Sequence, residues 1–140
     1  LMLADYDIKT IDCLVESQRW VYVAFLAEQA MERQLKGMYV YYTDCESPKT
    51  HNVNFILSKI IASTRFQQHP DLLRFNERRE EIEDLLIDLM FYYMSDYPFS
   101  YKNIMNRFVN ADTAKDLFAK TKEAINWLRG FQEIVDIPEM

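Results

Sequence analysis

His51 and His69 are the two histidines of the 140-residue chain, and so its only side chains that ordinarily titrate near neutral pH. His51 belongs to the run Lys49-Thr50-His51-Asn52, directly before the apolar set Val53, Ile56, Leu57, Ile60 and Ile61. That spacing predicts a helix from Asn52 to about Phe66 with Thr50 as its N-cap. Free backbone N–H groups and the helix dipole at such an end attract anions, and Lys49, Thr50 and His51 would stand beside them. The chemistry on offer is phosphate binding, with Lys102 from a later aromatic segment as a second cation. The plainer reading of the same residues is a cap and a satisfied histidine.

A second polar group is Gln29, Glu32 and Arg33, on one side of a long apolar-striped segment. Glu32 and Lys36 are spaced to pair one turn apart, which contributes a few tenths of a kcal/mol. This side reads as a solvent-facing or dimer-facing edge. The functional alternative makes Gln29 and Arg33 the lining of a ligand cleft. A third group is the charged run Glu77 to Asp84, with Asp88 beyond. Helical bundles that hold two metals use Glu-x-x-His pairs, and no Glu lies three residues before either histidine. Mixed signs within the run argue for a solvated face instead. Cys13 and Cys45 lack metal spacing and read as reduced thiols. Neither a metal nor a cofactor is expected, since Gly-rich phosphate loops and nucleophile elbows are also missing.

The elements that must position these residues follow from composition and periodicity. Hydrophobic residues make up 49% of the chain, with only 2 Gly and 4 Pro, which favours helices joined by short connections over a sheet. A first helix is expected from Leu3 to Glu16 and a second from Ser17 to Thr43. The second carries Trp20, Val23, Ala24, Ala27, Met31, Leu35, Met38, Tyr39 and Tyr42 as its stripe. The third covers Asn52 to about Phe66, and the fourth starts at Pro70 and ends near Met94. Ser95 to Asn110 reads as a loop, and Thr113 with Asp116 approximates a capping box for the last helix, which stops near Gly130. The fold class is all-α: one domain over residues 1–140, an up-and-down bundle of about five helices around a four-helix core. A net charge of -6 disfavours a broad nucleic-acid surface. No apolar run reaches the length of a membrane span, so the chain is expected to be cytoplasmic with no membrane partner.

Gln29-Ala30-Met31-Glu32-Arg33, then a polar break, then Thr50-His51 opening an apolar helix, resembles the HEPN family of small helical bundles. The family pattern is Gln-Ala-x-Glu-Lys, a loop, and Thr-His. The resemblance implies dimerisation, a nucleotide ligand, and partnership with a minimal nucleotidyltransferase. Its RNA-cleaving members carry an Arg, four to six residues, then a His. Here the positions that would need Arg are Asp44, Cys45 and Glu46 before His51, and Ala62, Ser63 and Thr64 before His69. Arg65 stands one residue too close to His69. A second subgroup carries Ser-Arg-Tyr-Pro where this chain has Ser95-Asp96-Tyr97-Pro98, with an acid in place of the cation.

The expected function is therefore a non-catalytic, homodimerising HEPN module with no catalytic residues. The alternative is an atypical ribonuclease, or the toxin of a toxin–antitoxin pair. Tyr22, Tyr41, Phe91 and Tyr92 are candidates for an exposed patch that a second copy would cover, since 9 Phe and 9 Tyr exceed what one small core readily hides. If Lys49 and its neighbours hold a phosphate, calorimetric titration with ATP should give a dissociation constant of roughly tens of micromolar or weaker. The affinity should fall with added salt and with Lys49→Ala. An affinity indifferent to Lys49→Ala would move the site toward Gln29 and Arg33.

Overall fold

A computed structural model describes residues 2–95 and 111–132, apart from the side chains at 2–4, 21 and 92–95. Lys102 and the Ser95-Asp96-Tyr97-Pro98 sequence beyond Ser95 fall outside the described residues, as does the Tyr92 side chain. The described elements are all helical: α1 (Met2–Glu16), α2 (Trp20–Thr43), α3 (Val53–Ala62), α4 (Thr64–Gln67), α5 (Leu72–Ser95) and α6 (Ala111–Arg129). The all-α bundle expected from composition is what forms, with six described helices where about five were expected. No described helix is both long and apolar enough to cross a membrane.

The central element is α2, which packs against each of the other five described helices. Its 24 residues extend about 36 Å. Val23, Ala24, Ala27, Ala30, Met31, Leu35 and Met38 are all buried, so the apolar set is wider than one stripe. Ion pairs fix the directions of its neighbours. Asp12 of α1 faces Lys122 of α6 while Asp5 faces Arg129, so these two helices run antiparallel. Likewise α5 opposes α6, since Arg78 pairs with Glu123 while Phe75 stacks on Trp127 at 5.3 Å.

Several boundaries differ from those read in the sequence, each for a local reason. Helix α2 starts at Trp20, not Ser17, because Gln18 takes a left-handed φ of 58° between the two helices. The expected third helix divides at Ser63, whose extended backbone ends α3. The Ser63 hydroxyl then caps α4 by accepting from the Phe66 N–H at 3.3 Å. The cap of α3 is Asn52, whose side chain accepts from the Phe55 N–H at 3.0 Å. Thr50 instead accepts from the Asn52 N–H, at 3.1 Å, one turn-residue earlier. Pro70 precedes α5 rather than opening it, and α6 begins at Ala111, which places Thr113 inside the helix.

At one end of the bundle an aromatic cluster closes the core. Phe66 meets Tyr42, Phe75 and Phe131 with ring centroids 5.1, 4.8 and 6.4 Å away, and Trp127 packs on Phe131 at 4.8 Å. Edge-to-face packing of this kind adds about 0.5–1.5 kcal/mol per pair beyond the area buried. The Tyr42 hydroxyl donates to the Phe131 carbonyl, which ties the end of α2 to the residue following α6. Phe66 is fully buried, so Phe66→Ala should destabilise the fold by about 3–5 kcal/mol in urea unfolding. Leu73, 81% exposed on α5, should tolerate alanine within about 0.5 kcal/mol. Equal losses at the two positions would contradict this placement of the core.

Candidate functional site

The polar residues inside α2 form the most chemically loaded part of the fold. Glu28 is completely buried, and Glu32, one turn on, is nearly so. Glu32 is therefore not solvent-facing, one of the two readings, solvent-facing or dimer-facing, of its edge. The helical period explains this: Ala24, Glu28, Met31 and Leu35 succeed one another on the buried side, so the two acids ride on an apolar face. A buried carboxylate is costly unless it is paired or protonated.

The two carboxyls resolve that cost differently. Glu32 gathers basic side chains: Lys36 Nζ lies 2.9 Å from Oε2, and His51 Nδ1 lies 3.0 Å from Oε1 and 3.0 Å from Oε2. With Nδ1 equidistant from both carboxylate oxygens, the proton belongs on Nδ1, which donates. Glu28 has one partner on Oε1, the Gln29 side-chain N–H at 2.9 Å, while its Oε2 is buried without a hydrogen bond among the described residues. Burial first, and then the charge of Glu32, push the Glu28 carboxyl up to about 8. Glu28 is thus held toward its neutral form at pH 7, one helical turn from Glu32.

The sequence singled out six residues; Lys102 lies outside the described residues, and the structure separates the other five. Gln29 and His51 come together through Glu28 and Glu32. Arg33 turns the other way, toward α1, where its Nε lies 2.8 Å from Asp7 Oδ2. Burial raises the Asp7 carboxyl by more than the Arg33 charge lowers it. Lys49 is exposed, in the connection before α3, and Thr50 is spent on the Asn52 N–H. His69, the other imidazole, accepts the Asp71 N–H on Nδ1 at 3.0 Å and lies against Phe131 at 5.3 Å. It serves the turn between α4 and α5. Glu28 was missed because its polarity outweighed its place in the buried period, which was the one signal that could have revealed it.

Two further polar arrangements stand apart from this cluster. Gln34, buried in α2, donates to Gln132 at 2.9 Å and accepts from Arg129 at 3.4 Å, and Arg129 in turn pairs with Asp5 at 2.8 Å. Between α5 and α6 a cleft of about 500 Å³ is lined by Glu80, Glu81, Asp84, Asp88 and Glu123, with Arg78 and Lys120. Arg78 holds Glu123 and Glu81 there, and this bonding keeps the Glu123 carboxyl below its ordinary value. Among the described residues, no three His, Cys, Asp or Glu converge in a way that would hold a metal ion.

A bundle centred on one polar-cored helix, with an imidazole delivered from the loop beyond it, is the frame on which comparison with known families can be set. The family model described as HEPN domain matches residues 1–131. The chain belongs to the HEPN domain family. No curated protein and no solved structure matches it.

The raised Glu28 carboxyl has a measurable consequence. The unfolded chain releases that proton near 4.5 and the folded chain near 8, so between those values the folded state holds an extra proton and stability falls as pH rises. Glu28→Gln keeps the shape and removes the titration. The variant should gain on the parent steadily from about pH 4.5 to 8, ending more stable by about 1–3 kcal/mol. A difference that does not change with pH in denaturant titrations would refute the buried-acid assignment.

Proposed function

We propose that this chain is a non-catalytic HEPN module: a homodimerising binding domain that partners a minimal nucleotidyltransferase and accepts a nucleotide phosphate beside the start of α3. The partner and ligand classes are those that the HEPN resemblance of Gln29-Ala30-Met31-Glu32-Arg33 and Thr50-His51 implies. The observation that carries the non-catalytic assignment is the surroundings of the two histidines. Neither has an arginine at the ribonuclease spacing; Asp44, Cys45 and Glu46, and Ala62, Ser63 and Thr64, occupy those positions. Metal-independent RNA cleavage needs a base for the ribose 2′-hydroxyl and a cation for the phosphorane charge. His51 is instead held by a carboxylate, and Lys36, the ammonium on that carboxylate, is already committed to it, so it does not stand ready for the phosphorane charge.

The phosphate reading rests on the amino end of α3, where Lys49 is exposed. Asn52 already takes the Phe55 N–H, so fewer backbone donors remain for an anion than an uncapped end would present. Weak, salt-sensitive binding follows from that competition.

One observation favours a second reading. A carboxylate hydrogen-bonded to Nδ1 orients an imidazole and raises its capacity to take a proton, the arrangement of a catalytic base with its orienting acid. Glu32 and His51 have that geometry. Incubation of the purified chain with tRNA and mRNA in chelator decides between the two. Intact RNA is the expected result. Cleavage that His51→Ala or His69→Ala abolishes would overturn the non-catalytic reading in favour of an atypical ribonuclease.

A further inference from the structure

Gly37 lies well inside α2, and no described residue accounts for it. Its φ is not positive, and a Cβ built on it would meet no atom of the described residues beyond its own helix turn within 4 Å. Glycine is the poorest residue for a helix interior apart from proline. Alanine would fit and strengthen the helix. No described residue uses the open space beside Gly37, whereas close approach of another backbone would need it.

The residues around it define a seam. Arg33, Gly37 and Val40 follow one another at intervals of 4 and 3 along α2, the spacing by which one helix meets another, and Asp44 is the C-cap just past them, with a left-handed φ of 55° that turns it outward from the helix end. Val40 is 47% exposed, and the side chains of Arg33 and Asp44 are 46% and 87% exposed. The Arg33 Nε is engaged with Asp7, yet the guanidinium fork carries further N–H donors. Asp44 approaches Arg65 only at 3.9 Å.

We propose that α2 packs antiparallel against α2 of a second copy of this chain, in the register that sets Val40 into the gap at Gly37 and Arg33 against Asp44. Both pairs are symmetric about one point between Met38 and Tyr39, as a two-fold interface requires: each residue meets its mate's partner, and the reverse. Charge selects this arrangement. The chain carries a net charge of -6, so two copies repel over most of their surfaces. Along this seam each copy offers one cation and one anion, and only the antiparallel orientation opposes unlike signs. The outer face of α5, with Glu77, Glu80 and Asp84 between Leu73 and Ile87, would set acid against acid in a two-fold pairing. The inference rests on the homodimer proposed above and gives it a location.

Sedimentation equilibrium of the full chain, with thermal unfolding of each variant as a fold check, tests it. The parent should be a dimer. Gly37→Ala should weaken association at least about tenfold, or 1.4 kcal/mol, while its unfolding midpoint at high dilution stays level or rises. Arg33→Glu and Asp44→Arg should each weaken the dimer, and the two together should restore it. A parent dimer that Gly37→Ala leaves as tight would place the interface elsewhere and overturn the inference, with the homodimer reading intact. A double charge reversal that stays weak would overturn the register. A parent sedimenting only at 16.8 kDa at about tens of micromolar would overturn both the inference and the homodimer.

Discussion

The burial of α2 is the constraint on which the rest of the structure depends. A helix contacted by every other described helix has little perimeter left for polar side chains, and each one it carries inward must find a partner. Glu32 finds Lys36 and His51, Gln34 finds Gln132 and Arg129, and Arg33 at the rim finds Asp7. These partners come from α1, from the connection before α3, and from the end of α6. The polar residues of one helix thereby fix where three other segments of the chain lie, which apolar packing alone specifies poorly.

Glu28 is the exception that shows the cost. Its second carboxyl oxygen is buried with no hydrogen bond among the described residues, and its proton is retained to about 8. An apolar or amide side chain would be easier to accommodate at that position. What the acid adds is a neighbour for Glu32, so that two carboxyls and one imidazole share a small volume whose charge depends on where the protons sit.

How much of this was legible in the sequence depends on the kind of signal. The stripe of α2 was readable because Val23, Ala27, Met31, Leu35 and Met38 recur at the helical period, and all five are buried. The motif around Gln29 and Thr50-His51 was readable as a family resemblance. The break at Ser63 was hidden, since Ile60, Ile61 and Phe66 continue the apolar period across it without Gly or Pro, and only a serine cap marks the new start. The antiparallel contact of α1 with α6 joins residues more than a hundred positions apart and leaves no local trace. Within the candidate site, His51 was found by residue type. Glu28 was missed, and Glu32 read as part of a polar edge, because their polarity masks their place in the buried period of α2.

The aromatic closure at Phe131 sets a timetable for the chain as it is made. Phe66 and Phe75 are available early, but the ring that completes their packing follows the last described helix, and the Tyr42–Phe131 hydrogen bond spans 89 positions. Until residue 131 has left the ribosome, the rings of Tyr42, Phe66 and Phe75 cannot all be covered. Loops of that length close slowly compared with the growth of a helix. The aromatic core is therefore closed by the segment that follows α6. A growing chain stopped short of Phe131 would present an open aromatic face of the kind that recruits chaperones or drives aggregation.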